Sequence, residues 1–521
     1  MSATMPRYFN TTGPCDPARH YYLPTAARMP NPAPLIEREQ YFAVHAPRQT
    51  GKTTGMRTFA ETLRGQGFAA CWATLEASQG IDETAQAEPL WLQALHDASC
   101  LVSTEWRAPD PAPFLAGAPG ARLGAYLRAW AASLTVPLVL LLDEADVVTG
   151  PALVSLLRQL RAGFMDRRVG VFPTSVALIG MRDLRETLVQ SKDGRFANPG
   201  SPFNIKAASI TLRNFNAAEV GELLAQHTAE TGQPFQPDAV EEIARVTDGQ
   251  PYLVNALADL CVSHIVPDGA APITRAHVED ARERLVRART THLDSLAERL
   301  KEPRVAKIVQ AVLLGDQPVQ VDTDDFQYVL DLGLVRAVAG GAEAANPLYR
   351  EVLARQLSIN LQANLALPWW PWATPDGRLD FPALLAAFRQ WWRENADMLP
   401  EQAPGYPEAV PHLALCAFLQ RVVNGGGRVH REFAAGRGAM DLLVEYGPDR
   451  FALEIKRVRS RDSLDTVVER GVAQLGRYLD TVGIDQGWLV VFDVRPDRSW
   501  EDRLWERTAS AGGKRVVVLG A

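Results

Sequence analysis

A short loop lies between an apolar run and an amphipathic segment near the start of this chain. Residues 46–54 read APRQTGKTT, the residues before them (41–45) form a short apolar run, and residues 56–63 have the spacing of an amphipathic helix. A strand, a tight loop and a helix in this order turn backbone N–H groups in one direction, where they can surround a phosphate. The pattern therefore predicts a phosphate-binding loop. Its residues are Pro47, Arg48, Gln49, Thr50, Gly51, Lys52, Thr53 and Thr54.

Two side chains of this loop would contact a nucleotide directly. Lys52 would reach its β- and γ-phosphates, and the Thr53 hydroxyl would hold Mg²⁺. The usual motif begins with glycine, whereas this chain has Ala46. Alanine is compatible with this position if its backbone avoids positive φ, so we treat the substitution as a mild departure from the motif.

A second segment, an apolar run that ends in two acidic residues, corroborates the loop. Residues 138–142 are apolar without alternation, which is typical of a central parallel strand covered on both faces, and Asp143 and Glu144 follow them. Open α/β sheets bind ligands at this end of their strands. We therefore expect Asp143 to hold Mg²⁺ and Glu144 to orient or deprotonate the attacking water. The alternative is a core strand capped by a solvated acidic turn.

Between residue 38 and about residue 205, apolar runs alternate with helical stretches. The pattern predicts strands at 68–74 and 176–180, and helices at 90–101, 123–134 and 152–161. Such alternation indicates an α/β fold with a parallel sheet and helices on both faces. Arg182 follows a strand expected beside the acidic one, where it would sense a γ-phosphate. A surface arginine on a loop is the alternative.

Segments on either side of this core are candidates to cover the nucleotide. Residues 1–33 are an irregular lead-in in which Asp16, His20 and Tyr21 would lie over the base, with a packing arm as the alternative. Residues 217–231, 237–247 and 252–265 are predicted helices of a small lid. A Gly249-Gln250-Pro251 turn separates the last two.

Together, the loop, the acidic strand, residues 179–183, residues 201–205 and this turn resemble the STAND and archaeal-type AAA-like ATPases over roughly residues 7–360. The resemblance implies that the protein binds ATP with Mg²⁺ and that the Gly-x-Pro turn, here with Pro251, contacts the nucleotide. It also implies that nucleotide state switches the conformation or the assembly of the protein, so that a homo-oligomer is one of the open alternatives. Residues 269–360 resemble a winged helix, for which DNA binding and a structural or autoinhibitory role both stay open.

The C-terminal part carries a second group of candidate catalytic residues. Residues 440–446 and 450–457 are predicted to form a β-hairpin across Gly447-Pro448-Asp449. Asp441 would enter its first strand, while Glu454 and Lys456 share one face of the second. Two carboxylates and one ammonium that converge suit a hard cation and metal-assisted hydrolysis of a phosphodiester. The alternative is a solvated strand face.

With the Gly436-Arg437-Gly438 turn and a following helix that carries Gln474 and Tyr478, this group resembles the PD-(D/E)XK nuclease superfamily over about residues 405–521. The resemblance implies a restriction-endonuclease-like α/β domain with Asp441 and Glu454 as ligands of Mg²⁺ or Mn²⁺. It further implies Lys456 as the catalytic lysine and Gln474 as a supporting polar group.

The resemblance also marks neighbouring residues of this second group. Met440 replaces the family's usual proline, and Glu408 is a candidate for the acidic residue that the first helix often adds to the site. A basic cluster beside the site would contact phosphates, with a solvated turn as the alternative. Its members are Lys456, Arg457, Arg459 and Arg461.

A tryptophan- and proline-rich stretch precedes this domain. Because such stretches usually pack between domains, we interpret it as a connector, with a nucleic-acid stacking platform as the alternative. The predicted domains are a lead-in (1–33), a P-loop core (34–206), a helical lid (207–268), a winged-helix-like region (269–360), a connector (361–404) and the nuclease-like domain (405–521).

Composition limits the remaining possibilities. Apolar residues at 47% and charged residues at 22% are ordinary for a soluble globular protein, and 521 residues are too many for one core. The five scattered cysteines fit a reducing compartment and argue against a disulfide framework or zinc. We find no signal-peptide pattern and no apolar run near the roughly 20 residues of a membrane span, so we expect a cytoplasmic protein outside membranes. The net charge of −7 does not indicate a bulk polyanion binder.

These patterns together predict an ATP-binding and ATP-hydrolysing protein that controls Mg²⁺-dependent cleavage of DNA, in defence or in DNA processing. The main alternative is a nucleotide-switched signalling or DNA-binding scaffold whose nuclease fold does not cleave. A DNA motor is a third option, and the choice between DNA and RNA as substrate stays open.

Overall fold

The computed structural model describes residues 6–167, 170–181, 206–269, 271–287, 296, 298–314, 323–338, 341–353, 374, 376, 378–396, 410–423, 427–435, 438–459, 462–495 and 497–521. In these ranges the strands are β1 (Tyr41–His45), β2 (Ala69–Thr74), β3 (Leu138–Asp143), β4 (Ser175–Gly180), β5 (Lys206–Thr211), β6 (Val335–Val338), β7 (Gly341–Ala344), β8 (Gly427–Ala435), β9 (Gly438–Tyr446), β10 (Asp449–Val458), β11 (Gln486–Asp493), β12 (Glu506–Ala511) and β13 (Lys514–Gly520).

The α-helices in the same ranges are α1 (Ala33–Glu37), α2 (Lys52–Gly65), α3 (Thr84–Cys100), α4 (Ala112–Leu115), α5 (Arg122–Ser133), α6 (Gly150–Asp166), α7 (Ala217–Thr231), α8 (Pro237–Thr247), α9 (Pro251–Asp259), α10 (Arg275–Arg287), α11 (Pro303–Leu314), α12 (Asp324–Asp331), α13 (Phe381–Asn395), α14 (Val410–Val423), α15 (Leu464–Val482) and α16 (Trp500–Arg503). Single 3₁₀ turns span Thr25–Arg28, Glu76–Ser78 and Ala145–Val147, and a π-helical turn spans Leu260–Ile265.

The chain divides into two compact units. The first comprises Met1–Thr290 and Gln320–Leu348, and the second comprises Thr291–Val319 and Tyr349–Ala521. In the first unit, five strands form a parallel sheet in the order β2-β3-β4-β1-β5. The predicted α/β fold with a parallel sheet is confirmed for this unit.

The lack of alternation in β3 follows from its position inside this sheet. Leu140 and Leu142 lie in a core cluster with α3, α5 and α6, whereas Val139 and Leu141 lie in a second cluster with α2. Both faces of the strand are therefore covered, and every side chain along it is buried.

The segment predicted to form a lid contains α7, α8 and α9, as its helical spacing indicates. Asn216 begins α7 with a capping box, in which its side chain and that of Glu219 accept each other's backbone N–H. Between α8 and α9, Gly249 has φ 65°, and a Cβ at this position would lie 1.9 Å from the carbonyl oxygen of Phe215. The turn therefore requires glycine for both its backbone angle and its close approach.

Gly249→Ala is expected to destabilise the first unit by about 2 kcal/mol or more, because alanine disfavours this backbone region and its methyl group would displace the Phe215 carbonyl. Thermal or urea unfolding of the variant measures the loss. Gly232→Ala is the matched control, since Gly232 has φ 81° in the same lid but no atom within 4 Å of the added Cβ. An equal loss in both variants would contradict the role of the close approach.

After α12, the strands β6 and β7 form an antiparallel hairpin in the first unit. A helix followed by a hairpin is compatible with the winged-helix interpretation, which stays a prediction. Among the described helices of the chain, none is long and apolar enough to cross a membrane.

The second unit contains a six-stranded mixed sheet in the order β12-β13-β11-β10-β9-β8. Strands β8, β9 and β10 are antiparallel neighbours, and β10 pairs in parallel with β11 across the connection that contains α15. The predicted hairpin of β9 and β10 is confirmed. Helix α15 packs on the face that presents Leu443, Ala452 and Leu489, while α13 and α14 cover the opposite face.

The tryptophan-rich stretch differs from its interpretation as a connector. Trp391 and Trp392 belong to α13 and are buried in the core of the second unit, where they approach Phe388, Phe418 and Phe492. The i, i+3 and i+4 spacing of the apolar residues in α13 forms one continuous apolar face, which the tryptophan and proline density concealed. Residues 368–372 lie outside the described residues.

Candidate functional site

The loop after β1 borders a cavity of about 550 Å³ in the first unit. Gln49 and Gly51 have φ values of 58° and 93°, after which α2 begins at Lys52. The first backbone N–H groups of a helix have no partner within the helix, and its dipole attracts anions. Ala46 is not among the residues with positive φ, so the condition for alanine at this position is met.

The predicted phosphate-binding residues surround this cavity in part. The residues that line it are Arg48, Gln49, Gly51, Lys52, Thr53 and Thr54. Thr50 is buried, and its hydroxyl donates a hydrogen bond to the Pro47 carbonyl at 2.9 Å, which stabilises the loop from within.

The Lys52 ammonium is held at the loop by backbone oxygens. Its Nζ donates to the carbonyls of Ala46 at 2.6 Å and Pro47 at 2.8 Å. Burial lowers the pKa of Lys52, and the carboxylates of Glu144 and Asp143 act in the opposite direction. The side-chain nitrogen of Lys52 therefore lies at the position where the loop would receive phosphate, held there by two backbone carbonyls.

The two sequence segments meet at Asp143. The Thr53 hydroxyl donates to Asp143 Oδ2 at 2.7 Å, although the two residues are 90 positions apart. Trp72 Nε1 donates to the same oxygen at 3.3 Å, and the Glu144 N–H donates to Oδ1 at 3.0 Å. The hydroxyl and the carboxylate predicted to share Mg²⁺ are thus in direct contact. Trp72 carries no motif, and only its position on the neighbouring strand β2 reveals its part in the site.

Glu144 lines the cavity in a strained backbone conformation, with φ 54° and ψ 37°. Burial raises the pKa of its carboxyl, and the charges of Asp146 and Asp143 raise it further. Asp146 itself is buried and accepts the Met181 N–H at the end of β4 at 3.1 Å. The acidic turn after β3 is therefore tied to the next strand. Arg182, the predicted γ-phosphate sensor, lies outside the described residues.

The lid turn lies against the phosphate-binding loop. Gln250 Nε2 lies 3.3 Å from the Arg48 carbonyl, and Gln250 Oε1 accepts the Leu253 N–H at the start of α9. Pro251, the predicted nucleotide contact, lines the cavity together with Tyr252 and Asn255. The turn thus connects the cavity wall to the first turn of a lid helix.

The lead-in forms another wall of the cavity. Residues 10–15 line it, and the Cys15 N–H donates to the Thr54 hydroxyl at 3.1 Å. Of the three side chains predicted to lie over the base, Tyr21 lines the cavity. Asp16 and His20 do not line it, and the Asp16 N–H donates to His20 Nδ1 at 2.8 Å. The lead-in therefore lines the cavity, and its predicted contact with a base stays a prediction.

In the second unit, Asp441, Glu454 and Lys456 converge on one face of the β9–β10 hairpin. Leu442 pairs with Leu453, so Asp441 and Glu454 are cross-strand neighbours. Lys456 Nζ donates to Glu454 Oε1 at 2.6 Å, and Asp441 Oδ2 accepts the Ile455 N–H at 2.7 Å. The register of the hairpin thus brings the three predicted side chains together.

Glu454 is the least solvated of these groups, with an exposure of 0%. Its Oε2 is buried without a hydrogen-bond partner among the described residues. Burial and then the Asp441 charge raise the pKa of Glu454 to about 7, while the Lys456 ammonium acts in the opposite direction. An orphaned buried carboxylate oxygen beside a second carboxylate is suited to a cation.

The described residues supply two carboxylates, Asp441 and Glu454, to this second site. Among them, no group of three or more His, Cys, Asp or Glu residues could hold a metal ion. Mg²⁺ is often bound by one or two carboxylates together with waters and substrate phosphates, so Asp441 and Glu454 fit this pattern. Glu408 and Arg461 lie outside the described residues.

Helix α15 crosses the sheet close to this site. A Cβ on Gly471 would lie 3.3 Å from Lys456 Cγ, so the two elements are in close contact there. Gln474 follows one turn later, and its Nε2 lies 3.4 Å from the Tyr478 hydroxyl. The predicted supporting glutamine is therefore on the helix that covers the site, and its first partner is the tyrosine of the same motif.

The buried carboxyl of Glu454 should make the stability of the second unit depend on pH. Between the ordinary value of 4.5 and its raised pKa of about 7, the folded protein keeps a proton that the unfolded chain has lost. The metal-free unit should therefore lose stability as the pH rises through this window, and Glu454→Gln should remove that dependence. Thermal midpoints in EDTA at several pH values measure it. The control is Glu469→Gln, an exposed carboxylate on α15, and an unchanged pH slope in Glu454→Gln would contradict the assignment.

Comparisons with known proteins bear on the first unit. Residues 125–355 match the family described as the AAA-like domain, a range that contains β3 and the lid and begins after the phosphate-binding loop. Similar solved structures include a Walker-type ATPase from Pyrococcus abyssi, which is 14% identical, with 62% of this chain and 93% of that chain covered and a TM-score of 0.46.

Two further structures are the RuvB Holliday junction branch migration motor of Thermotoga maritima and Cdc6p from Pyrobaculum aerophilum. The first is 14% identical, with 61% of this chain and 90% of that chain covered and a TM-score of 0.33. The second is 13% identical, with 61% and 87% covered and a TM-score of 0.32. The comparison with curated proteins produced no match. Residues 125–355 therefore match the AAA-like domain family, and most of this range, including β3, belongs to the first unit with its parallel five-stranded sheet.

Proposed function

We propose that the first unit binds and hydrolyses ATP in the cavity beside the loop of residues 46–54. The observation that supports this most directly is the contact of Thr53 with Asp143, beside Lys52 and Glu144, at one end of the parallel sheet. Thr53 and Asp143 would hold Mg²⁺, which would supply positive charge to offset that of the phosphates. Lys52 would hold the β- and γ-phosphates in position.

Glu144 is the group that we propose to orient the attacking water and accept its proton. A general base is most effective when its pKa lies near the working pH, and burial moves the pKa of Glu144 upward in that direction. Arg182 stays a proposed γ-phosphate sensor, and the lid turn at Pro251 a proposed nucleotide contact.

We further propose that the second unit cleaves DNA with Mg²⁺ or Mn²⁺. This proposal is supported by Glu454, whose buried Oε2 has no partner among the described residues while Asp441 and Lys456 lie beside it. Leaving such an atom unsatisfied is unfavourable, and a cation would relieve it. Lys456 would then orient the attacking water or stabilise negative charge that develops on the phosphate, with Gln474 in support.

Nucleotide control of cleavage is the third part of the proposal. A lid that closes on a phosphate site can change conformation or assembly with nucleotide state, and both sites belong to one polypeptide. A homo-oligomer formed in the presence of ATP is one way in which this control would operate, and light scattering with and without nucleotide would detect it.

The deciding experiment incubates supercoiled plasmid with the full chain, with Mg²⁺, Mn²⁺ or EDTA, and with ATP, ADP or no nucleotide. We expect nicked or linear products that require the metal and whose rate depends on the nucleotide. Single-stranded DNA and RNA in parallel reactions identify the substrate class. DNA binding without cleavage under every condition would replace this proposal with the alternative of a nucleotide-switched scaffold.

A further inference from the structure

An arginine that no sequence motif marks is buried in the wall of the nucleotide cavity. Arg28 ends the 3₁₀ turn Thr25–Arg28 of the lead-in, is 4% exposed and lines the cavity. It forms no ion pair with a carboxylate of the described residues, and burial lowers its pKa only to about 10. The side chain therefore carries a positive charge that is largely removed from water, and the Glu219 carboxylate that acts on it is already in an ion pair with Arg213.

The guanidinium joins three parts of the first unit. Nη1 donates to the Thr50 carbonyl in the phosphate-binding loop and to the Arg213 carbonyl before the lid, both at 3.0 Å. Its centre lies 4.6 Å from the ring centroid of Phe215. Phe215 in turn donates its N–H to the carbonyl of Gly249 in the lid turn at 2.9 Å. A displacement of this side chain would thus change its contacts with both the phosphate-binding loop and the segment that leads into the lid.

Part of the guanidinium is left without a hydrogen bond to the described residues. Arg28 Nε is buried and has no hydrogen-bond partner among the described residues. A Cβ placed on Gly51 would lie 3.0 Å from Nη2, so this edge of the group borders the loop at the start of α2. Two carbonyl oxygens do not neutralise a buried cation, whereas a phosphate group matches the planar donors of a guanidinium.

We infer that Arg28 is a further nucleotide-binding residue, which pairs with the phosphate chain of the bound nucleotide and connects that chain to the segment leading into the lid. The inference rests on the proposed nucleotide binding of the first unit. If Arg28 served only to join the lead-in, the loop and the lid, its removal would weaken every ligand of the cavity alike. A phosphate contact would instead weaken only ligands that carry phosphate.

The test titrates ATP, ADP, AMP and adenosine into the full chain as wild type, Arg28→Gln and Arg28→Lys. Calorimetry measures the affinity for each nucleotide, and ligand-observed NMR at millimolar concentration measures the affinity for adenosine. Arg28→Gln should weaken ATP and ADP by about 30-fold or more, since a buried charge partner is lost. Adenosine affinity should stay within about threefold, and Arg28→Lys should recover part of the ATP affinity.

The control is Arg64→Gln, because Arg64 donates to a backbone carbonyl, that of Ala70, at 3.1 Å in the same unit but does not line the cavity. Its ATP affinity should match that of the wild type. Equal losses for ATP and adenosine in Arg28→Gln, or no loss at all, would overturn the inference. If Arg28→Gln does not fold, the same comparison in Arg28→Lys decides, and unfolding of both variants would show a structural role only. Absence of ATP binding in the wild type would instead reject the proposed function itself.

Discussion

Glu144→Gln is expected to lower the rate of ATP hydrolysis by about 100-fold or more while ATP still binds. Glutamine keeps the size of the side chain at the cavity wall but cannot accept a proton from the attacking water. Burial and the charges of Asp146 and Asp143 raise the pKa of Glu144. Wild-type turnover should therefore fall as the pH decreases through that raised pKa, because the protonated carboxyl can no longer accept a proton from the attacking water. Steady-state phosphate release and ATP titration measure the two effects.

Two further variants serve as controls for this experiment. Glu61→Gln changes an exposed carboxylate on α2 and should leave turnover unchanged. Lys52→Ala should abolish nucleotide binding, because it removes the ammonium that would hold the β- and γ-phosphates. If Glu144→Gln hydrolysed ATP at the wild-type rate, Glu144 would have no part in activating water, and another cavity residue would have to supply that function.

Lys456→Ala is expected to lower DNA cleavage by about 100- to 1,000-fold, which is typical of removing a group that stabilises developing charge. The hydrolysis of ATP should remain near the wild-type rate, because the phosphate-binding loop belongs to the other unit. The variant also leaves the buried carboxyl of Glu454 without its ion pair, so its thermal midpoint must be measured with its activity. Plasmid nicking and phosphate release are measured on the same protein preparations.

The matched control for this experiment is Lys514→Ala. Lys514 forms an ion pair with Asp485 at 2.7 Å in the same sheet, but no carboxylate pair of the candidate site is beside it. Cleavage should survive this substitution. Unchanged cleavage in Lys456→Ala would remove the lysine from the proposed chemistry. Joint loss of cleavage and of ATP hydrolysis would mean that the two activities are not separable.

Much of the fold could be predicted because its signals are local. The apolar run of residues 41–45 coincides with β1, and the helical spacing of residues 217–231 coincides with α7. The predicted hairpin formed in the second unit, and its period of two brought Glu454 and Lys456 to one face. In each case the periodicity of neighbouring residues already contains the information that determines the element.

Other elements escaped prediction because their signals depend on partners far along the chain. Strand β12 is largely exposed and polar, and it is a strand only because β13 pairs with it. Helix α13 has an apolar face, but tryptophan and proline density suggested a connector, and its burial depends on the sheet beneath it. Propensity is a weak guide where tertiary contacts decide.

The residues and their spacing specify the chemistry at each site: a lysine and a hydroxyl in a loop, acidic residues after an apolar strand, and two carboxylates with a lysine on a hairpin. Which groups share an environment depends on how the elements pack in three dimensions. Trp72 reaches Asp143, and Arg28 reaches Thr50, through parallel strands and a lead-in that bring distant residues together. Burial of Glu454 likewise arises from α15 and the surrounding sheet. Such burial and such partners come from packing between elements, and no spacing along the chain records them.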